Sequence, residues 1–203
     1  MSEPEKQESL LTDTEGLEGK KRRRPTKDDL LAARNRPVPD VIAPGLKVLF
    51  CGINPGLYSG AVGHHFARPG NRFWMALFLG GFTDRLFSPF EEHLLPDYGC
   101  GITNIVNRAT IQASELSAEE LREGAALLQR KTSACRPRAL AVLGIDAYRK
   151  AFETPRAAIG KQRGTIGAAA VWVLPNPSGI NAHYQMEELV RLFSALRAAA
   201  FEL

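Results

Sequence analysis

The chain has 203 residues, 44% hydrophobic and 24% charged, enough apolar content for one domain with a tail and ordinary for a globular protein. Lys and Arg number 26 against 22 Asp and Glu, a net charge of +4, which suits a polyanionic partner without requiring one. No apolar run approaches the roughly 18–20 residues that cross a bilayer, and the polar, acidic start Met1 to Lys6 is not a secretory leader, so a cytoplasmic protein without membrane contacts is expected.

Charge is uneven along the chain. Residues 1–19 hold Glu3, Glu5, Glu8, Asp13, Glu15 and Glu18 against Lys6, and Lys20, Lys21, Arg22, Arg23, Arg24 and Lys27 follow. With almost no aromatic or β-branched content, this stretch cannot bury enough surface to fold alone. Residues 1–40 are expected to form a disordered charged tail and 41–203 the folded domain. The basic octet 20–27 could track phosphates as a nonspecific tether, or be a solvated charge run.

Pro37, Pro39 and Pro44-Gly45 mark the entry to the domain. Lys47 to Cys51 is a continuous apolar run that predicts a strand buried on both faces. Asn71 to Gly80 predicts a helix stopped by Gly80-Gly81. Ser117-Ala-Glu-Glu120 is a capping box that opens a helix to about Ala134. Arg138 to Gly144 and Val171 to Leu174 predict two more buried strands, and Tyr184 to Ala200 a long amphipathic helix. Buried strands alternating with helices imply an α/β domain with a mostly parallel sheet, whose ligand crevice lies beyond the carboxyl ends of the strands.

Cys51, Cys100 and Cys135 form no CxxC pair, so they are expected to be free, reduced core residues. No structural zinc, other metal or cofactor is expected. The adjacent His64 and His65 point apart in an extended segment and find no third ligand in register.

Two loops after strands put an Asn before a Pro with Gly close behind: Gly52-Ile-Asn-Pro-Gly56 and Pro175-Asn-Pro-Ser-Gly179. A residue before proline is held extended, which aims a short amide rigidly, and the glycines let a ligand approach the backbone. Either loop alone reads as a turn. Neither matches a dinucleotide or P-loop fingerprint. A third element, His64 to Trp74, mixes aromatics with Arg68 and Arg72, the composition that stacks bases and holds phosphates. Phe73 and Trp74 fit the core, whereas Phe66 is less easily assigned to a buried face.

The segments Gly52-Ile-Asn-Pro-Gly56, Phe66-Ala-Arg-Pro-Gly-Asn-Arg-Phe-Trp74, Gly101-Ile-Thr-Asn-Ile-Val106 and Asn176-Pro-Ser-Gly179 together resemble the mismatch-specific uracil/thymine-DNA glycosylases (the Mug/TDG family) of the uracil-DNA glycosylase superfamily. The resemblance runs from about Asp40 to about Arg197. It implies a three-layer α/β/α sandwich around a short, mostly parallel central sheet. It also implies a monomeric base-excision repair enzyme whose partner is double-stranded DNA with G·U mispairs. Such an enzyme flips uracil out and hydrolyses its N-glycosidic bond. By motif position, Asn54 would hold the attacking water, Phe66 would stack on the base, and the backbone of Ile53 and Phe66 would read the uracil edge. Asn176 would sit near the sugar. Ser178 and Gly179, with Ile180 and Asn181, would belong to the DNA-contacting loop, with Gly179, Ile180 and Asn181 as the wedge that enters the duplex.

These residue types suit the chemistry. A base inside a duplex must be flipped at a cost of a few kcal/mol, lower for a wobble pair. An amide positions water but takes no proton at neutral pH, which predicts a slow enzyme unless a carboxylate assists. Asp97, before Tyr98-Gly99-Cys100-Gly101, is the acid best placed in sequence for that role, with a turn or cap residue as the alternative reading. The family's wedge often carries an Arg after Gly-Leu-Ser; here Gly179-Ile-Asn-Ala182 lacks it, and His183 is the residue that could substitute. Asn104 stands where superfamily members vary and could pair with a pyrimidine edge. Two other classes remain to be weighed: a protein that binds uracil or abasic DNA without cleaving, and an unrelated α/β enzyme acting on a small nucleotide.

Overall fold

A computed structural model describes residues 23–179 and 184–202. Four parallel strands and one antiparallel edge strand form a single sheet: β1 (Val48–Gly52), β2 (Cys100–Asn104), β3 (Ala139–Leu143), β4 (Gly160–Ile166) and β5 (Ala169–Leu174), in the order β2-β1-β3-β5-β4. Among the described residues six α-helices accompany them: α1 (Lys27–Ala32), α2 (Leu57–Val62), α3 (Phe73–Leu79), α4 (Ala118–Cys135), α5 (Ile145–Ala151) and α6 (Met186–Phe201). This is the expected α/β sandwich.

The pleat sorts side chains into two cores. On one face Val48 and Phe50 of β1 pack with Phe73, Trp74 and Leu77 of α3 and Phe193 and Leu196 of α6. On the other, Leu49 and Cys51 meet Leu121 and Leu128 of α4 and Tyr148 of α5. Phe50 stacks on Phe193 at 5.6 Å and meets Phe73 edge-on at 5.4 Å. All three cysteines are free and buried. No described helix is long and apolar enough to cross a membrane.

The chain after β1 passes to the α3 face and the chain after β3 to the α5 face. Connections that part in this way open a crevice at the carboxyl ends of the two strands. The loops after β1, β2 and β5 all end on that side, which is what concentrates the three Asn-bearing motifs.

The expected tail runs too far. Residues 1–22 lie outside the described residues, but 23–40 are ordered against the domain. Thr26 and Asp29 close a capping box at α1, Ala33 and Val38 are fully buried, and α1 packs on α2. The physical reason is local: a Thr-x-x-Asp box starts the helix, and two small apolar residues suffice to anchor it. The residues after α1 then run beside 107–109. Asn35 N–H donates to Ala109 O, Ala109 N–H to Arg36 O, and Val38 N–H to Asn107 Oδ1.

Deleting residues 1–22 leaves every described contact in place, so its melting temperature should equal that of the full chain. Deleting 1–36 removes α1 and the pairing at Ala109. At about 0.5–1.5 kcal/mol per hydrogen bond the loss is about 2–3 kcal/mol, or roughly 5–10 °C. Calorimetry of the two truncations checks this, and equal melting temperatures would show that the arm contributes nothing.

Candidate active site

Asn54 lies two residues past the end of β1. Its Nδ2 donates to Thr110 Oγ1 at 2.7 Å, to the Arg108 carbonyl at 2.9 Å and to the Pro55 carbonyl at 3.1 Å. Carbonyl oxygens only accept, and Thr110 Oγ1 gives its own proton to the Gln112 carbonyl at 3.0 Å. These partners therefore determine which end of the amide is nitrogen. Oδ1 takes no hydrogen bond among the described residues, so it stands as an open acceptor on a fixed side chain.

The segment that holds Asn54 is itself braced. Arg108 grips Glu120 with Nε to Oε1 at 2.6 Å and Nη2 to Oε2 at 3.1 Å, and gives Nη1 to Asn35 Oδ1 at 3.1 Å. Hydrogen bonds from Arg108 and then from the Ser117 backbone hold the Glu120 carboxyl down to about 2. One residue thus serves α4 as the acid of its capping box and the candidate site as a brace.

Phe66 sits at φ +51°, a left-handed backbone that costs a bulky residue about 1–3 kcal/mol and persists only when neighbours impose it. The amides on either side are tied: His65 N–H donates to Glu92 Oε2 at 2.8 Å and Ala67 N–H to Ser59 Oγ at 3.1 Å. Phe66 N–H, between them, has no acceptor among the described residues. The ring stacks on Phe73 with centroids 4.1 Å apart. Gly52 makes room for it, since a Cβ there would come within 3.3 Å of Phe66 Cζ and 2.5 Å of Asn104 Oδ1.

Asn104 ends β2 directly opposite Gly52 and is 3% exposed. Its Nδ2 lies 3.3 Å from His65 Nδ1, and the other ring nitrogen of His65 lies 2.9 Å from the Pro39 carbonyl. Burial pushes the His65 pKa below its ordinary value, against the opposing pull of Glu92, the Pro39 carbonyl and Asp40. Beside Asn104, Thr103 Oγ1 donates to Asp40 Oδ1 at 2.7 Å and Lys131 Nζ pairs with Asp40 Oδ2 at 2.6 Å, which pins the end of β2.

Asn176 follows β5 and accepts from Ser178 N–H at 3.0 Å, an Asx turn. Its loop is fastened to the Phe66 loop. Arg72 N–H donates to the Pro177 carbonyl at 2.9 Å, Arg72 Nη2 to the Ser178 carbonyl at 3.0 Å, and Arg72 Nη1 to the Tyr184 carbonyl. Gly179 lies so close to Gly70 that any Cβ would strike the Gly70 carbonyl. Ile180, Asn181 and His183 lie outside the described residues.

The structure thus brings Ile53, Asn54, Phe66, Asn104, Asn176, Ser178 and Gly179 to one end of the sheet. It does not bring Asp97 there. Asp97 is exposed in the last turn of a 3-10 helix, Pro89–Tyr98, and precedes β2, whereas Asn54 follows β1. Because β1 and β2 are parallel with Val48 opposite Cys100, five strand residues lie between the two positions, about 16 Å at about 3.3 Å each. Asp97 lines instead an open cavity of about 620 Å³ at the opposite end, with Lys47, Asp84, Tyr98 and Arg197. The water-assisting reading of Asp97 is corrected by this placement.

Sequence reasoning missed His65, Glu92, Arg108 and Thr110. Each acts through a partner distant in sequence, so no spacing announces it; only the Ser117–Glu120 box pointed at one end of such a pair.

A model of the uracil DNA glycosylase superfamily matches residues 39–200. Among solved structures, the chain is similar to a candidate uracil DNA glycosylase from Methanosarcina acetivorans determined by solution NMR. That match has a TM-score of 0.54 and 19% identity, covering 80% of this chain and 98% of the other, a likeness of fold. A match across four-fifths of the chain, on the same span that carries the Asn-bearing loops, places the protein in the uracil DNA glycosylase superfamily.

Proposed function

We propose that this superfamily member is a monofunctional, mismatch-directed uracil-DNA glycosylase that takes uracil from G·U mispairs and leaves an abasic site. The observation that carries the reading is the Asn54 amide, with its nitrogen tied to three acceptors and its oxygen open. A water held by Oδ1 would attack the sugar as the glycosidic bond breaks through an oxocarbenium-like state. The Phe66 ring would stack on the flipped base. The Phe66 N–H is suited to a base carbonyl, where a donor stabilises the leaving anion. Asn104 would meet the pyrimidine edge and Asn176 the sugar. Ser178 and Gly179, with Ile180, Asn181 and His183 beyond the described residues, would face the duplex. Hydrolysis of this kind calls for no metal or cofactor. Arg23 and Arg24, exposed at the domain's edge, belong to the basic octet that would tether phosphates.

Asn54→Ala should abolish most single-turnover cleavage of a G·U duplex while binding stays within a few-fold. Near wild-type cleavage by that variant would sink the assignment. Running the wild type beside it on U·A, T·G and single-stranded U sets the opposite-base preference, which G·U should lead.

Asp97→Asn should cleave within about twofold of wild type. The side chain is exposed and remote, and surface changes of this kind cost within about 0.5 kcal/mol. A hundredfold loss without unfolding would restore a general-base role.

The product strand should remain intact at the abasic site. A lyase needs an amine nucleophile, and neither Asn-bearing loop carries a lysine. Borohydride reduction during turnover should trap no protein–DNA adduct, and a trapped adduct would contradict the hydrolytic reading.

A further inference from the structure

His65 is buried between the Phe66 loop and β2, and its two ring nitrogens have different partners. Nε2 faces the Pro39 carbonyl at 2.9 Å, which can only accept, so Nε2 carries a proton. In a neutral imidazole the other nitrogen is then a lone pair. Nδ1 faces Asn104 at 3.3 Å and must receive a hydrogen bond, which only the Nδ2 end of that amide can give. The Asn104 oxygen is thereby turned away from His65, over Gly52 and beside the Phe66 ring, where it accepts nothing among the described residues. A carbonyl oxygen in that place complements a base edge that donates.

We propose that His65 is the residue that sets base selectivity, by holding Asn104 with its oxygen toward the pocket so that a pyrimidine with N3–H fits and a cytosine, which accepts at N3, does not. This rests on the proposed function and adds to it a positioning residue and a reason for preferring uracil over cytosine. His65 touches neither base nor sugar; it acts through Asn104. The groups facing it are Glu92 on its backbone amide, His64 beside it in sequence, and Asp40, whose carboxylate is paired with Lys131. Burial keeps His65 neutral down to a pH below its ordinary titration range. Once protonated it donates from both nitrogens, and the Asn104 amide must turn its nitrogen to the pocket.

The test uses the full chain and two duplexes, one with 5-fluorouracil and one with 5-fluorocytosine opposite G, in single turnover. His65→Gln can still reach Pro39 with its amide but offers nothing at the Nδ1 position, and His65→Phe keeps the ring and drops both bonds. In each variant the ratio of fluorouracil to fluorocytosine excision should fall about tenfold or more, the weight of one good hydrogen bond. In wild type the same ratio should hold through about pH 6.5, the ordinary histidine value, and fall only at lower pH, because burial lowers the pKa of His65; in His65→Phe it should be flat with pH. A ratio unchanged in both variants, or an equal loss on both substrates, overturns the proposal. Unfolding of both variants assigns His65 to the core and overturns it too. A wild type that excises no uracil analogue overturns instead the proposed function, so the two failures are distinct.

Discussion

The arrangement of the candidate site depends on where one amide nitrogen is held. Asn54 Nδ2 has the Arg108 carbonyl and the Thr110 hydroxyl within 2.9 Å, so the side chain is oriented by a segment that follows a different strand. That segment would be an irregular loop without its own supports. It has three: the residues after α1 pair with Ala109 and Asn107, Arg108 is gripped by Glu120 at the start of α4, and Thr110 reaches the carbonyl of Gln112. Each bond contributes about 1 kcal/mol. Their common effect is geometric, because releasing any one lets the acceptor of Asn54 move before the fold is lost.

The Phe66 loop shows the opposite case, strain imposed rather than freedom removed. A left-handed Phe is opposed by its own Cβ. The cost of about 1–3 kcal/mol is offset by two amides tied to Glu92 and Ser59 and by the ring on Phe73. A regular backbone would have placed the Phe66 N–H in a helix or strand ladder. The strained one leaves it unused, between two occupied neighbours. Glu92, 6% exposed, is tolerable there because both carboxylate oxygens are used, one by the His65 amide and one by the His64 ring at 2.8 Å. An unpaired carboxylate at that depth would cost several kcal/mol.

What was legible in the sequence follows from how local each signal is. The buried runs at 47–51, 138–144 and 171–174 give β1, β3 and β5 within two residues or so, because apolar continuity is local. The Ser117 box gives the start of α4. β2, Cys100 to Asn104, reads as a motif rather than a strand, since its Gly and Asn mask its burial. β4 was missed because Lys161, Arg163, Gly164 and Thr165 are exposed on an edge strand and show no apolar period. The α1 helix was hidden by composition: a charged segment with few apolar residues needs only Ala33 and Val38 to dock. Asp97 was misplaced for a topological reason. Closeness in sequence to the Gly101–Val106 motif puts it at the start of β2, and parallel strands separate starts from ends by the length of a strand.

Under the proposed function, the same geometry explains how a site without a carboxylate on the water could still be selective. A general base contributes about 10²–10⁴ in rate, and Asn54 supplies none. A donor placed where charge develops is worth about 10²–10³, and the Phe66 amide would be such a donor. Chemistry then leans on the leaving group more than on the nucleophile. A base whose anion is stabilised by two carbonyls departs readily, and one that must leave as a cytosine anion does not. Uracil would pass that filter and also donates at N3, the edge that the Asn104 oxygen would meet. The kinetic preference and the hydrogen-bond preference would therefore select the same base through different atoms. Weakness in the nucleophile would cost speed, and the speed would be lost least on the base that the Asn104 oxygen favours.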